Sequence, residues 1–178
     1  LNSFANSVSH IVLIDTDTLV LRNLHDVFER YPKFGIGFTL SSSFFTKQNP
    51  NYYINTGVIF IRRGLGKLPA NFLSNIINFM RGDELEMKKA KIYDQAAVFH
   101  FLKKHCIHGA CNFFGRRMGG ECILVKIGEN ESNTLRVLFL GSEFNTVSIK
   151  MCKESYVAHF SGIRKPLMKS RGEYFFKH

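Results

Sequence analysis

An unbroken apolar run at residues 11–14, IVLI, is followed at once by two carboxylates, Asp15 and Asp17. The run is too short for a free helix and is typical of a strand buried on both faces, as in a parallel α/β sheet. Ligands of open α/β sheets bind beyond the carboxyl ends of the strands. The sequence therefore predicts an α/β fold with an acidic site at the end of this strand.

The chemistry of the Asp-x-Asp pair points to a metal. Two acids one residue apart repel each other unless a cation lies between them, and carboxylate oxygens suit hard divalent ions such as Mg²⁺ or Mn²⁺. The alternative interpretation is a solvated acidic turn. Hydrophobic sequence resumes at once at residues 19–21, LVL, which favours a site. We therefore predict metal binding at Asp15 and Asp17.

The rest of the chain alternates predicted helices and strands. A second apolar run at residues 58–61 predicts a buried strand with Asn55, Thr56 and Gly57 at its entrance. Apolar residues at helical spacing predict helices over residues 24–31 and 69–82 and a third from residue 93, with Asp94 as its N-cap. Further strands are predicted over residues 34–40, 122–127, 135–140 and 156–160.

Length and composition bound the class of protein. A chain of 178 residues, 45% of them hydrophobic, predicts one packed domain over residues 1–178. No apolar run approaches the roughly 20 residues that span a bilayer. Because the acidic strand ends by residue 15, we expect the domain to be truncated at its N-terminus.

The net charge of +10 raises a nucleic-acid hypothesis. The basic residues are dispersed in short groups such as Arg62-Arg63 and Lys103-Lys104, with no long basic run. A phosphorylated small molecule or an anionic surface explains the charge equally well. We therefore predict no nucleic-acid partner.

The cysteines allow a zinc site, disulfides or reduced thiols. None of their spacings forms a Cys-x-x-Cys pair, so we predict no zinc. The sequon at Asn130 favours the secretory lumen, although the compartment stays open. The four cysteines are Cys106, Cys111, Cys122 and Cys152.

Four segments, in the same order along the chain, resemble the retaining glycosyltransferases of family 8, which include glycogenin and bacterial lipopolysaccharide galactosyl- and glucosyltransferases. IDTDTLVLRNLHDVF resembles the family's DxD strand, INTGVIFIRR its N-[ST]-G-V strand, YDQAAV its DQ helix, and AHFSGIRKPL its H-x-x-G-x-x-K-P-W motif. LGSEFN, ending at Asn145, resembles the LP…[YF]N stretch. The resemblance covers residues 8–167, with Leu167 in place of the tryptophan.

The resemblance implies a GT-A fold, a mixed and mostly parallel sheet flanked by helices. The family's first βαβ unit, which binds the uridine, is missing from this sequence. The resemblance also implies a divalent metal, usually Mn²⁺ and otherwise Mg²⁺. Asp15, Asp17 and His159 would hold it, together with the diphosphate of a UDP-sugar donor.

The remaining site residues are likewise implied by the resemblance. Gly162 and Lys165 would hold the diphosphate, with Arg164 nearby. Asp94 and Gln95 would face the reacting carbon of the sugar. The residues implied to line the sugar pocket are Asn55, Thr56 and Gly57. The expected reaction moves a hexose to a glycan or protein acceptor, and the sugar, the acceptor and the oligomeric state stay open.

Two other functions compete with this one. A haloacid dehalogenase-type phosphatase would use Asp15 as nucleophile and Asp17 as acid/base. The sequence DTDTL departs from that class's DxDGT pattern, and the stretch GDELEM lacks the second acid of GDxxxD. The other alternative is a non-catalytic remnant of the same fold that binds a glycan or a sugar nucleotide.

Overall fold

A computed structural model of the chain describes residues 8–40, 54–81, 93–107, 120–127, 133–146 and 154–160. These residues form two sheets flanked by helices. The strands are β1 (His10–Ile14), β2 (Thr18–Val20), β3 (Ile36–Leu40), β4 (Ile54–Arg62), β5 (Glu121–Lys126), β6 (Thr134–Leu140) and β7 (Val157–His159). The helices are α1 (Asp26–Arg30), α2 (Leu68–Arg81) and α3 (Tyr93–His105), with 3-10 turns at Arg63–Leu65 and Ser142–Phe144.

The larger sheet has five strands in the order β1-β4-β3-β6-β5. The predicted mixed α/β sheet is confirmed, but the expectation that it is mostly parallel is wrong. Among the described strands of this sheet, β3 and β6 pair in parallel, whereas the other three pairings are antiparallel. The reason is that β3 and β4, and likewise β5 and β6, are successive strands that return beside each other. A parallel pair needs a long crossover, which the chain provides between β3 and β6.

Strand β1 differs most from its prediction. It pairs antiparallel with β4, from His10 opposite Arg62 to Ile14 opposite Val58. Its last two side chains are exposed, Leu13 by 41% and Ile14 by 46%. The prediction of a parallel strand buried on both faces is therefore wrong. Within the described part of the chain β1 has β4 as its single sheet neighbour, so it is an edge strand of the large sheet there.

Two hydrophobic clusters cover opposite faces of the sheet. Helices α2 and α3 pack on the face that carries Phe38 and Phe139, and the predicted apolar positions of α3 are buried there. Helix α1 packs on the other face against Phe60. The buried face of α2 is narrower than predicted, because two of the residues predicted to be buried, Ile77 and Met80, are exposed. No helix in the described ranges is long and apolar enough to cross a membrane.

The small sheet of β2 and β7 joins an early and a late segment of the described residues. The strands are antiparallel, with Thr18 opposite His159 and Val20 opposite Val157. Ala158 also forms a parallel bridge to Thr146, which follows β6. These pairings place the end of β7 next to the acids that follow β1.

Two of the four cysteines lie in the described residues. Among the cysteines, Cys106 forms a bridge to Val125 in β5, and Cys122 is an exposed residue of β5 itself. Although the residue is exposed, partial desolvation of its sulfur raises the pKa of the Cys122 thiol, and Arg136 opposes that rise. The features outside the described ranges are Cys111, Cys152, the sequon at Asn130 and the GDELEM stretch, so the absence of zinc stays a prediction.

Candidate functional site

Three side chains with metal-binding atoms meet beyond the carboxyl end of β1. His159 Nε2 lies 3.2 Å from Asp17 Oδ1 and 3.7 Å from Asp15 Oδ2. One ligand atom from each residue lies within 4.8 Å of the other two. The His159 side chain is 7% exposed, Asp17 15% and Asp15 55%, so the group has a buried floor and an open side.

Backbone hydrogen bonds fix the two acids. The Asp15 N–H donates to the Gly57 carbonyl at 2.9 Å, which extends the β1–β4 ladder by one residue. Both the backbone N–H and the hydroxyl of Thr18 donate to the Asp15 carbonyl, at 3.2 and 2.6 Å, and close a tight turn. The Phe160 N–H then donates to the Asp17 carbonyl at 2.8 Å. The Asp-Thr-Asp-Thr sequence thus forms the turn that brings both carboxylates to His159.

The three donors fit a divalent cation. An ion about 2.1 Å from each ligand holds two ligands at right angles about 3 Å apart. The separations of 3.2 and 3.7 Å from His159 Nε2 agree with neighbouring positions around such an ion after small adjustments. The two carboxylate oxygens are ligands for hard divalent ions, the imidazole nitrogen is a donor that transition metals accept, and three protein ligands leave room for a substrate.

A buried hydrogen-bond network lies beneath His159. His159 Nδ1 is 3.1 Å from Asn145 Oδ1. Asn145 Nδ2 in turn donates to Asn55 Oδ1 at 2.7 Å and to Thr39 Oγ1 at 3.1 Å. Asn55 Oδ1 also accepts from the Gly57 N–H at 2.7 Å, and Thr39 Oγ1 donates to the Asn55 carbonyl at 3.1 Å. Asn145 and Thr39 are fully buried. The network therefore connects His159 to Thr39 in β3 and to Asn55 in β4.

Sequence reasoning did not include Asn145 or Thr39 among the site residues. The available signal was the LGSEFN stretch that ends at Asn145, which resembles a stretch of the family 8 glycosyltransferases. Thr39 lies in the short apolar run IGFTL, where one threonine carries no signal of a site.

The start of β4 is irregular at this point. Phe38 pairs with Ile59, but its neighbour Thr39 pairs with Asn55, so the intervening β4 residues bulge away from β3. The bond from the Gly57 N–H to the Asn55 side chain two residues earlier is an Asx turn, which accounts for the bulge. The expectation that residues 55–57 precede the strand is therefore corrected: they lie inside β4.

Helix α3 supplies a further carboxylate, Asp94, near β4. The Thr56 hydroxyl donates to Asp94 Oδ2 at 2.5 Å. Asp94 is exposed and lies in the first turn of α3, which begins at Tyr93, so the prediction that it is the N-cap is wrong. Gln95 follows it and is half-buried. The structure therefore places Asp94 beside the predicted sugar-pocket residue Thr56.

The two predicted diphosphate-binding residues, Gly162 and Lys165, lie outside the described residues, and so does the nearby Arg164. Their positions relative to the metal group stay predictions.

A cavity of about 430 Å³ opens at the other end of the large sheet. It lies among residues that precede β3, follow β4 and begin β6, whereas the metal group lies at the opposite ends of these strands. Its lining is Pro32, Lys33, Phe34, Leu65, Leu68, Leu124, Thr134 and Arg136. This lining contains no acid, histidine or cysteine, so we do not assign the metal chemistry to it.

The structure is similar to that of a glycosyltransferase involved in the glycosylation of the major capsid of PBCV-1. The similarity has a TM-score of 0.52 and 14% sequence identity, and it covers 94% of this chain and 68% of that chain. No protein-family model matches the sequence, and no curated protein matches it significantly. At this identity the similarity shows a shared fold. The chain therefore has the fold of a glycosyltransferase.

Proposed function

We propose that the protein is a metal-dependent retaining glycosyltransferase that moves a hexose from a UDP-sugar to a glycan or protein acceptor. One observation carries the proposal. Asp15, Asp17 and His159, which come from opposite ends of the described chain, meet within 4.8 Å at the sheet edge of a glycosyltransferase-like fold. The sequence resemblance to family 8 independently predicts the same three residues as metal ligands.

The metal group would act on the departing nucleotide. When bound, a divalent cation such as Mn²⁺ supplies positive charge that stabilises the negative charge developing on the leaving diphosphate. The side chains of Asp17 and His159 are largely buried, whereas that of Asp15 is exposed and lies at the open side of the group. This arrangement leaves the substrate to approach from the side of Asp15. Lys165 and Gly162 are proposed to bind the same diphosphate.

The proposed sugar pocket lies between β4 and α3. Thr56 is half-buried and Asp94 is exposed, and the hydrogen bond between them holds the carboxylate in place. A fixed negative charge beside the reacting carbon would stabilise an oxocarbenium-like transition state, with Gln95 as a neutral neighbour. Asn55 is buried, and we propose that it supports the pocket from beneath.

The geometry favours this proposal over the phosphatase. That reaction would use Asp15 and Asp17 with further acids for the metal. In the described part of the chain, the third residue that converges on the pair is a histidine. A buried histidine opposite two carboxylates is the donor set that the glycosyltransferase proposal requires.

The experiment is UDP release by the full-length protein with UDP-glucose or UDP-galactose, with and without Mn²⁺. We expect turnover that chelation abolishes and Mn²⁺ restores. Asp17→Asn should lower the turnover by about 100-fold or more, because it removes a charged ligand from the metal group. Mn²⁺ binding by the same variant, followed by calorimetry, should weaken in parallel.

Glu29→Gln is the matched control, since it makes the same carboxylate-to-amide change on α1. Its partner is His25, in an exposed pair 3.8 Å apart, and such pairs contribute little. We expect its turnover to equal that of the wild type. Mn²⁺ binding without turnover of any sugar nucleotide would support the non-catalytic remnant instead. Mg²⁺-dependent release of phosphate from phosphomonoesters, without turnover of a sugar nucleotide, would contradict both and support the phosphatase.

A further inference from the structure

The orientation of the Asn145 side-chain amide is set by two backbone groups. The Gly57 N–H can only donate, so the Asn55 atom it contacts is the oxygen Oδ1. The Asn145 atom 2.7 Å from that oxygen must then be the donor Nδ2. Thr39 gives the same answer, because its one hydroxyl proton goes to the Asn55 carbonyl and its oxygen must accept from Asn145. Asn145 therefore turns its oxygen toward His159.

This orientation selects one tautomer of the neutral histidine ring. Asn145 Oδ1 has no proton to give, so His159 Nδ1, 3.1 Å away, carries the proton of this hydrogen bond. In the neutral ring the lone pair then lies on Nε2. That is the atom 3.2 Å from Asp17 and 3.7 Å from Asp15. A proton on Nε2 would instead donate to the Asp17 carboxylate and occupy the position that a metal needs.

We propose that Asn145 is a positioning residue that holds neutral His159 in the Nδ1–H tautomer and keeps the Nε2 lone pair directed at the metal group. The purpose of this positioning, a metal bound at Nε2, rests on the proposed function. The tautomer itself can be tested without assuming that function. Histidine ligands of metals generally donate their second ring N–H to a fixed acceptor, and loss of that acceptor costs about 10- to 100-fold in metal affinity. Here the acceptor is a buried amide, whose own orientation originates in the turn at Asn55.

The test is the tautomer of His159 in the metal-free protein, observed from its ring ¹⁵N chemical shifts at a pH where the ring is neutral. The wild type should show a protonated Nδ1 and an unprotonated Nε2. Asn145→Leu fills a similar volume without the acceptor and should shift the proton to Nε2. Asn145→Ala makes the same test if leucine does not fit. Either variant should bind Mn²⁺ about 10- to 100-fold more weakly.

Asn145→Asp is the conservative rescue, because it keeps an oxygen for Nδ1–H while opposing Asn55 Oδ1. We expect it to lose stability but to retain the wild-type tautomer, with less than a 10-fold loss of Mn²⁺ affinity. If Asn145 had a purely structural role, the loss of Mn²⁺ affinity in each variant would follow its loss of stability. A wild-type ring protonated on Nε2, or an Asn145→Leu ring still protonated on Nδ1, would overturn the inference. These spectra need no sugar nucleotide, so failure of the proposed reaction would leave this result readable by itself.

Discussion

The imidazole ring of His159 packs directly on Gly57. A Cβ atom added to Gly57 would lie 2.6 Å from His159 Cε1 and 2.8 Å from Nδ1. The ring cannot easily move aside, because it is buried and its Nδ1 bonds to Asn145. Glycine at this position is therefore explained by the ring that it accommodates. The sequence Asn55-Thr56-Gly57 thus contributes the space for the histidine as well as the turn.

Gly57→Ala should displace His159 and so weaken both the fold and the metal group. Overpacking of a buried contact costs about 1–3 kcal/mol, and we expect a loss of this size in the free energy of unfolding measured in urea. Mn²⁺ affinity, measured by titration, should fall by at least about 10-fold, as expected when a ligand loses its orientation.

Gly37→Ala is the matched control on the neighbouring strand β3. The nearest heavy atom to its added Cβ is Phe60 Cβ at 3.4 Å, and the next contacts are 3.5 and 3.7 Å. We expect its stability to change by about 1 kcal/mol or less and its Mn²⁺ affinity to equal the wild type. If both alanine variants bind Mn²⁺ equally well, the close approach to His159 is not what Gly57 is needed for.

The sequence predicted the elements whose signal is local. Helical spacing of apolar residues located α2 and α3, and apolar runs located β4 and β6, each with small errors at the ends. The trio of Asp15, Asp17 and His159 was predicted through the family motifs, because spacing along the chain carries no information about such distant contacts.

The features that sequence did not predict depend on distant partners. An apolar run such as residues 11–14 occurs in parallel and in antiparallel strands, so the sequence alone does not give its pairing direction. The structure shows that this run pairs antiparallel with β4. Asn145 contacts Thr39 and Asn55, which lie 106 and 90 residues earlier in the chain. Asp94 has the properties of an N-cap, yet its carboxylate bonds to Thr56 on β4 instead. In each case a tertiary contact determined the outcome.

Asp94→Asn should lower kcat by about 100- to 1000-fold and leave KM nearly unchanged. The amide keeps the size of the side chain but removes the charge proposed to stabilise the transition state. Thr56→Val removes only the hydroxyl that orients Asp94 Oδ2, so its kcat should fall less, by about 10-fold. The measurement is steady-state turnover at saturating Mn²⁺. A larger loss for Thr56→Val than for Asp94→Asn would indicate that the hydroxyl, and not the carboxylate, meets the sugar.

Lys165→Ala should cost about 2–4 kcal/mol of transition-state stabilisation, because the ammonium is proposed to neutralise the diphosphate in a partly desolvated site. Arg164 is the matched control, since it is the adjacent cation but lacks the family's six-residue separation from His159. Arg164→Ala should cost about 1 kcal/mol or less. Turnover of both variants at saturating Mn²⁺ tests the difference. Equal losses, or a greater loss for Arg164→Ala, would assign the diphosphate contact elsewhere.

The stability of the fold should decrease at mildly acidic pH because of His10. Arg62 donates from Nη1 to His10 Nε2 at 2.9 Å, and a guanidinium can only donate, so this nitrogen must be unprotonated. Burial, Arg62 and His25 lower the pKa of His10 from its usual 6.5. Between that lowered value and 6.5, the unfolded chain binds more protons at His10 than the folded chain does. The stabilisation of the folded state by neutral His10 is therefore complete above about pH 6.5, and it is lost progressively as the pH falls below that value.

His10→Gln isolates this effect, because glutamine offers an oxygen to Arg62 and does not titrate. The free energy of unfolding, measured in urea at several pH values, should fall more steeply below pH 6.5 in the wild type than in His10→Gln. His105 also has a lowered pKa, caused by burial and Lys104, and it contributes equally to both proteins, so it cancels in the comparison. Parallel pH profiles for the two proteins would show that the Arg62 contact does not depend on a neutral His10.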